Sequence, residues 1–467
     1  MELVKGLSLI APELTVSAGI IVVLLLDVVI RKERWIVGLL SLFFLLGAGV
    51  LTYLNLKVSG EAFGMLLVSP VSRAFDLVIL LGAAMTTLIA WEKKGEHHFL
   101  VLSAVLGAMV LVKSIHFVSF LLALELFSFA IIGQIALTRD TLGVEAAMKF
   151  FILSVLASTF IVMGAALLYS IYGSFYFPVA YLSDVFELKS LSHSLLFLFA
   201  FVLIIAGMGF KLSAVPFHFW TPEVFRGAHS SVAGFIATVS KASAFGFLVN
   251  LLFIAFGRQI ALWGDLLLWL GAITMIVGNL AALGERDIKR MLGYSTIAHA
   301  GYVLLAFGVG TNESVGAAIF YLIIYTFMTL GAFAVVHSVG EGRSDLNYYR
   351  GLLRTNPLQT ALLVVFLVSL AGIPPTAGFA GKFYLFSSVL NAGEVGFVVW
   401  ALINGVISAF YYMRPVFYAL GFEPEHVFEA KLRPALFLVM LVGLAGVLYF
   451  GLAPSGLLDF TRSVVSP

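Results

Sequence analysis

The chain has 467 residues, of which 61% are hydrophobic and 11% are charged, whereas an average soluble domain has roughly a quarter of its residues charged. This composition excludes a soluble enzyme, a DNA-binding protein and a secreted disulfide-rich protein. The 27 Lys and Arg residues nearly balance the 25 Asp and Glu residues, so we expect no basic surface for nucleic acid. Because the chain has no cysteine, it has no thiolate-ligated iron–sulfur cluster. Redox chemistry would therefore belong to partner chains.

Long apolar blocks, separated by charged or Gly/Pro-rich stretches, predict about fourteen membrane spans, since a helix needs about 20 residues to cross a bilayer. The predicted spans are Leu7–Val29, Trp35–Leu54, Ser72–Trp91, Phe99–Val112, His116–Leu137, Glu145–Tyr172, Ser194–Phe217, Ser230–Phe256, Ile260–Leu283, Ile288–Val309, Ser314–Val339, Leu358–Leu390, Val395–Tyr418 and Pro434–Phe450. The mixed segment Phe177–His193 is predicted to lie at the membrane interface. We therefore predict an all-α integral membrane protein with one polytopic domain over residues 1–467, embedded in the lipid bilayer.

The distribution of positive charge predicts the orientation of these spans. Sixteen Lys and Arg residues fall in the loops after odd-numbered spans, and seven, including Arg73 and Lys113, fall on the opposite side. Cytoplasmic loops accumulate Lys and Arg, so both termini are predicted outside, with the chain in the cell inner membrane. The first apolar block follows Glu2 and has no small-residue cleavage pattern, so we expect it to remain as a span.

Two long blocks are interrupted in a similar way, at Gly209–Pro216 in span 7 and at Ala371–Lys382 in span 12. A break inside the bilayer exposes backbone groups that only protein or water can satisfy. Because the breaks lie five spans apart, spans 4–8 (residues 99–256) and 9–13 (residues 260–418) are predicted to be two five-helix repeats, inverted in the membrane. The alternative is two proline kinks that only shape helix packing.

Charged and ionisable side chains inside the spans are the candidate functional residues, because a charge at the centre of a span costs roughly 2.5–3.5 kcal/mol and usually faces a bundle interior. The candidates for proton translocation are Glu125, Lys211, Lys241, His299 and Lys382. A buried lysine beside a carboxylate can be switched by moving that carboxylate, and an imidazole can pass protons in both directions. The predicted role is a row of proton carriers across the middle of the bilayer.

Simpler structural roles compete with this hypothesis. Glu125 and Lys211 can form a structural ion pair, and His299 can simply bond a neighbouring helix. Three secondary candidates are weaker: His218 and His229 flank the loop after span 7, and Lys149 follows Glu145 by four residues, which favours a surface pair. The sequence has neither a phosphate-cradling loop nor an H-E-x-x-H pattern, so we predict no catalytic, cofactor-binding or metal-binding residues on this chain.

Three segments resemble signatures of the antiporter-like membrane subunits of respiratory complex I, a family related to multisubunit Na+/H+ antiporters. They are Phe210–Pro222 (FKLSAVPFHFWTP), Asp287–Tyr302 (DIKRMLGYSTIAHAGY) and Ser369–Phe383 (SLAGIPPTAGFAGKF). The resemblance covers about residues 65–420. Within the family, one subunit type is expected to have glutamate where this chain has Lys382, and a second is much longer, so the chain is most similar to the third type.

This resemblance implies a subunit that moves protons outward while other membrane and peripheral subunits oxidise NADH and reduce a quinone. It implies that flavin, iron–sulfur clusters and quinone bind in partner subunits, with no cofactor on this chain. It also implies that Glu125, Lys211, Lys241 and Lys382 align with the residues that carry protons. The alternatives are a subunit of a multisubunit cation/proton antiporter, driven by a gradient, and a structural scaffold in which the buried lysines are dispensable.

Overall fold

The predicted all-α membrane architecture is confirmed in the computed structural model, which describes residues 2–29, 34–177, 191–257, 260–427, 430 and 432–466. Thirteen helices, one for each predicted span except span 12, are long and apolar enough to cross a membrane, and span 12 consists of two shorter helices, of which Pro357–Ala371 is apolar. Spans 1–7 are Ala11–Val29, Arg34–Leu54, Pro70–Ile89, Gly95–Lys113, Phe117–Ala136, Thr141–Tyr172 and Leu191–Leu212. Spans 8–14 are Ser230–Ala255, Ile260–Gly284, Ile288–Val309, Asn312–Val339, Pro357–Ala371 with Ala377–Asn391, Val395–Gly421 and Pro434–Leu452.

Several short elements were not predicted. The first predicted span divides into a helix at Glu2–Leu9 and the spanning helix that starts at Ala11. Within the described ranges the sheet is a single antiparallel hairpin of Gly60–Ala62 and Leu66–Val68. Further short helices are Trp220–Gly227, the 3-10 turn Leu346–Tyr349, Leu352–Thr355 and Ser455–Val465. The predicted interfacial segment Phe177–His193 lies outside the described residues except at its two ends.

Side-chain caps and left-handed glycines set the ends of the long spans. The Asp140 carboxylate accepts a hydrogen bond from the Gly143 N–H at 2.6 Å before span 6, and the Asp287 carboxylate accepts two from the first turn of span 10. These bonds satisfy backbone donors that have no partner within the helix. Span 6 ends at Gly173 (φ +67°) and span 10 at Gly310 (φ +69°), in the region that favours glycine.

Alternate loops meet at opposite ends of the bundle. A cavity of about 630 Å³ is lined by Lys93, Asp140, Arg226 and Asp287, which follow spans 3, 5, 7 and 9. We call this end the odd-loop face. At the other end, the even-loop face, the Ile115 N–H donates to the carbonyl of the hairpin residue Met65 at 3.0 Å. Each span therefore crosses from one face to the other.

The centre of the bundle is formed by three spans. In their most apolar windows, span 8 has 94% of its residues buried, and spans 10 and 11 have 89% each, against 28% for span 1 and 33% for span 2. The exposed apolar side chains of spans 1 and 2 suit contact with lipid or with another apolar surface. Lys241 and His299 therefore lie on the most enclosed helices of the chain.

Three spans deviate from regular α-helix where candidate residues lie. Span 7 ends at Leu212, and residues 213–219 separate it from the helix Trp220–Gly227. Span 12 is broken between Ala371 and Ala377, with Gly372 at φ +88°. Span 8 has π-helical turns at Ile236–Ser240 and Asn250–Ala255, a distortion that often accompanies function. The two predicted breaks are confirmed, and the π-helical turns are an addition to the prediction.

Candidate functional site

Lys211 lies in the last turn of span 7 and is 3% exposed. Its Nζ donates a hydrogen bond to Ser128 Oγ at 2.6 Å. The ammonium also lies 5.4 Å from the ring centre of Phe127 and 5.5 Å from that of Phe150. Aromatic faces attract a cation without accepting its proton. The Ser128 hydroxyl is therefore the hydrogen-bond partner of the Lys211 ammonium.

Glu125 is one helical turn before Ser128 on span 5. Its carboxylate is half-buried and accepts a hydrogen bond from Ser158 Oγ on span 6 at 2.5 Å. Glu125 and Lys211 each have a serine partner instead of each other. Residues three apart on a helix share a face, so Glu125 and the serine that holds Lys211 lie on the same side of span 5. The alternative of a direct structural ion pair does not describe this arrangement.

Lys241 of span 8 meets the break of span 7. Its Nζ donates to the Leu212 carbonyl and to Ser213 Oγ, the latter at 2.6 Å. Carbonyls at the end of a helix have no partner within it, so the break supplies an acceptor for a buried ammonium. Ser213 Oγ also accepts a bond from Thr221 Oγ1 at 2.8 Å, across the break. Lys211 is thus part of the helix before the break, and Lys241 contacts the end of that helix and the first residue of the break.

His299 of span 10 lies between two tyrosines from other spans. Its Nδ1 is hydrogen-bonded to the Tyr321 hydroxyl of span 11, and its Nε2 lies 2.9 Å from the Tyr412 hydroxyl of span 13. Both ring nitrogens therefore have a partner that can donate or accept a proton. Thr296, one turn earlier, contacts the Tyr325 hydroxyl at 3.0 Å. His299, the candidate residue on span 10, is therefore surrounded by neutral hydroxyl groups.

Lys382 lies in the second segment of span 12 and contacts the first. Its Nζ donates to the carbonyls of Leu370 and Ala371 at 3.0 and 2.8 Å. These carbonyls end the helix Pro357–Ala371, where the helix dipole favours a cation. The ammonium lies 5.3 Å from the ring centre of Tyr302, whose ring also contacts that of His299. Tyr302 is therefore the side chain between His299 and Lys382.

The secondary candidates occupy different environments. Lys149 is 44% exposed and lies 2.6 Å from Glu145, so the predicted surface pair is confirmed. His218, in the break of span 7, is buried, and its ring contacts that of Phe219 at 4.4 Å between centres. His229 caps span 8, where its Nδ1 accepts the Ser231 N–H. His229 lies on the odd-loop face, away from the breaks.

Glu341, in the loop after span 11, is the acceptor at the centre of a polar cluster around His229. The carboxylate lies 3.2 Å from His229 Nε2, 2.7 Å from His337 Nδ1 and 3.3 Å from Lys289 Nζ. Burial opposes ionisation of Glu341, but its contacts with His229 and Lys289 outweigh burial and hold its pKa well below the usual range. Glu341 is therefore an anion on the odd-loop face at neutral pH.

Four charged residues are buried near the even-loop face, and two of them had been assigned to loops from the sequence. Arg73 and Lys113, counted as loop residues, are fully buried together with Asp76 and Glu13. Lys113 Nζ lies 2.5 Å from a Glu13 carboxylate oxygen and also contacts Asp76. Arg73 donates to the Leu9 carbonyl at 3.1 Å. The short helix Glu2–Leu9 and the hairpin create this enclosure, and neither element was predicted.

The partners of the candidate residues were also missed by sequence reasoning. The serines at 128, 158 and 213 and the tyrosines at 302, 321 and 412 are common residue types in membrane helices. Except for the contact between Tyr302 and His299, which share span 10, each one lies on a different span or far along the chain from the residue it contacts. The one available signal was position, since Ser128 follows Glu125 by three residues and Tyr302 follows His299 by three.

The fold and the buried polar residues define a multi-pass membrane protein of the antiporter type. Residues 114–408 match the family model described as "NADH:quinone oxidoreductase/Mrp antiporter, TM". A chain from the Mrp complex of Dietzia sp. DQ12-45-1b has a TM-score of 0.85 at 19% identity, covering 98% of this chain and 97% of that one. This likeness shows the shared fold.

More similar relatives identify the branch of the family. The NADH-quinone oxidoreductase subunit N of Trichlorobacter lovleyi is 34% identical over 98% of this chain and 97% of its own. A chain of respiratory complex I from Thermus thermophilus is 35% identical with a TM-score of 0.83, covering 96% of this chain and 98% of that one. The chain belongs to the NADH-quinone oxidoreductase subunit N family. Subunit N is the third subunit type, to which the sequence was predicted to be most similar, so this prediction is confirmed.

Proposed function

We propose that this chain translocates protons outward across the cell inner membrane as a membrane subunit of an NADH-quinone oxidoreductase. Partner subunits would hold flavin and iron–sulfur clusters, oxidise NADH and reduce the quinone. The observation that carries the proposal is the set of hydrogen-bonded polar side chains inside spans 5, 7, 8, 10 and 12, of which spans 7, 8 and 12 are broken or distorted. Each charge costs about 2.5–3.5 kcal/mol at a bilayer centre, which favours a functional role.

The first part of the proposed path uses carboxylate, ammonium and hydroxyl groups. Glu125 and Lys211 are both bonded to serines, and Lys241 is bonded to Ser213. A hydroxyl both donates and accepts hydrogen bonds, so each serine can pass a proton without a net charge. Movement of Glu125 toward or away from Lys211 changes which group favours the proton. This coupling is the switch of the proposed relay.

The second part of the path runs from His299 to Lys382. The imidazole contacts the hydroxyls of Tyr321 and Tyr412, and the ring of Tyr302 separates His299 from Lys382. Lys382 is 7% exposed, and it is proposed as the last carrier before the outer face. The path thus continues through spans that the sequence places in the second repeat.

We further propose that residues 99–256 and 260–418 are inverted repeats. The N-caps of spans 5 and 6, His116 and Asp140, correspond to Asp287 and Thr311 at spans 10 and 11, each pair being 171 residues apart. Span 4 starts at the odd-loop face, whereas span 9 starts at the even-loop face. Equal spacing with opposite direction is the pattern expected of an inverted repeat.

The proposed orientation places the odd-loop face in the cytoplasm and both termini outside. It rests on the sixteen Lys and Arg residues of the odd loops against seven on the other side. Arg73 is buried and bonded to a backbone carbonyl, and Lys113 is buried in ion pairs. Without these two residues, the number of loop Lys and Arg residues on the outer side falls further below the number on the inner side. Protons would then move from the odd-loop face to the even-loop face.

The alternative of a gradient-driven cation/proton antiporter subunit rests on the fold alone, because the Mrp chain is only 19% identical. A glutamate at position 382 would be expected for the antiporter alternative, as for one of the other complex I subunit types, but this chain has a lysine there. The subunit N relatives therefore support the complex I assignment more strongly.

The test is to separate proton pumping from electron transfer in membranes that contain the assembled complex. Lys211→Ala and Glu125→Ala remove proposed carriers, whereas Lys57→Ala removes an exposed lysine from the loop after span 2. We expect both carrier variants to pump fewer protons per NADH and to keep electron transfer to an artificial acceptor. Normal pumping in Lys211→Ala, at wild-type levels of assembled complex, would overturn the relay assignment.

A further inference from the structure

The cluster around Glu341 gathers three side chains that can ligate a metal. His337 and Glu341 are four residues apart, at the end of span 11 and directly after it, and His229 comes from the start of span 8. Glu341 Oε1 lies 3.2 Å from His229 Nε2 and 2.7 Å from His337 Nδ1. All three ligand atoms lie within 4.8 Å of one another.

We propose that His229, His337 and Glu341 form a binding site for a divalent transition-metal ion of the Zn2+ type. Two imidazoles and one carboxylate are a frequent zinc donor set that leaves a coordination position for water. In tetrahedral zinc sites with bonds of about 2.0–2.1 Å, ligand atoms lie about 3.3 Å apart. The contact of Glu341 with His229 is already close to this spacing, and its contact with His337 would lengthen by about 0.6 Å. The two imidazole nitrogens, within 4.8 Å of each other, would close to the same spacing around the ion.

The surroundings of the three ligands suit this role. Ser231 Oγ lies 2.7 Å from His229 Nδ1, which also accepts the Ser231 N–H. Binding of an ion at Nε2 would therefore move the ring proton to Nδ1, where Ser231 Oγ can accept it. The Ser230 N–H donates to both oxygens of Glu341, at 3.0 and 3.1 Å. Such outer contacts orient metal ligands. His229 and Glu341 also line the 630 Å³ cavity of the odd-loop face, which gives access and room for a water ligand.

Lys289 is the group that opposes a cation here. Its Nζ lies 3.3 Å from Glu341 Oε2 and donates to the Ala228 carbonyl. A positive charge beside the carboxylate weakens the attraction for a second cation. We therefore expect metal binding at this site to be reversible. Removal of the Lys289 charge should strengthen that binding, an effect that a purely structural hydrogen-bond cluster would not show.

An occupied site would join the two proposed repeats. His229 belongs to the first five-helix unit and His337 to the second, and their rings are 4.9 Å apart between centres. Shared ligation would hold the start of span 8 against the end of span 11. The ion would then restrain relative movement of the two units at the odd-loop face.

The experiment measures zinc retained by the purified, assembled complex after incubation with Zn2+ and dialysis. His337→Ala removes one ligand, and His426→Ala is the matched control, because His426 stacks on Tyr348 outside the cluster. We expect His337→Ala to lose one zinc per complex and His426→Ala to lose none. Equal zinc in all three proteins would overturn the proposal and indicate adventitious binding only.

Lys289→Met provides the second measurement. We expect the dissociation constant for Zn2+, measured by competition with a chelating dye, to fall by about tenfold, because one neighbouring positive charge is removed. Unchanged or weaker binding in Lys289→Met would contradict the proposed site even if His337→Ala failed to assemble. These readouts measure binding, so they are independent of whether the complex pumps protons.

Discussion

The two proposed five-helix units hold a lysine at a broken helix in different ways. In the first unit, Lys241 reaches from the next span to the Leu212 carbonyl at the end of span 7. In the second, Lys382 lies on the same broken span and turns back to the carbonyls of Leu370 and Ala371. The common element is a buried ammonium at the carbonyl end of a helix segment, where the dipole favours a cation. Equivalent chemistry therefore does not require equivalent sequence positions.

The units also differ in what surrounds their equivalent positions on spans 5 and 10. Ser128, which bonds Lys211, lies 171 residues before His299, the same separation as the helix caps. Glu125 corresponds in the same way to Thr296, which bonds a tyrosine hydroxyl. A carboxylate thus lies near Lys211 in the first unit, whereas neutral hydroxyl groups surround His299 in the second. The comparison predicts that charge controls the first unit and hydrogen bonding controls the second.

The largest effect on this comparison is expected from the glycines that both units use for close packing. A Cβ on Gly107 would lie 2.8 Å from the Phe127 nitrogen, and a Cβ on Gly278 would lie 2.6 Å from the Ala298 nitrogen. Because backbone cannot yield as a side chain does, Gly107→Ala and Gly278→Ala should each cost about 1–3 kcal/mol. The thermal unfolding midpoint of the purified complex measures this loss.

Gly405→Ala is the control for both variants, since a Cβ there meets nothing within 4 Å. We expect it to be neutral or slightly stabilising, because alanine favours helix over glycine by up to about 1 kcal/mol. If only one of the two packing glycines proved sensitive, the proposed equivalence of spans 4–5 and 9–10 would fail.

A smaller effect is expected from Tyr412→Phe in the second unit. The change removes the hydroxyl that contacts His299 Nε2 and Ser295 Oγ but keeps the ring. Loss of one buried hydrogen bond of about 1 kcal/mol corresponds to roughly fivefold slower proton transfer at this step. Proton-pumping rate in reconstituted vesicles is the measurement, and the exposed Tyr449→Phe is the control. Equal rates in both variants would remove Tyr412 from the path.

The spans and both breaks were predictable from the sequence, as was the position of the five main candidate residues inside spans, whereas their role in proton translocation stays a prediction. Long apolar blocks leave few alternatives to membrane helices, and a lysine such as Lys241 in the centre of one is conspicuous because of its cost. The broken spans were visible because proline and glycine interrupt otherwise continuous blocks. These signals are local, which is why a single sequence contains them.

The partners of those residues were not predictable, because they depend on which helices pack together. Nothing near His299 in sequence indicates Tyr321 or Tyr412, which come from two other spans. The π-helical turns before and after Lys241 shift the backbone hydrogen-bond register, and no residue type in the sequence indicates where they occur. Lys113 was misassigned because its enclosure depends on contacts with Glu13, 100 residues earlier.

The central claim is that the two units form one continuous proton path in this chain. The direct measurement is the number of protons pumped per NADH by assembled complexes that have Lys211→Ala, Lys382→Ala or both changes. If the carriers act in series, each single change blocks the same path, so both should lower the ratio equally and the double variant should lower it no further. Losses that add in the double variant would show two separate paths and contradict the claim.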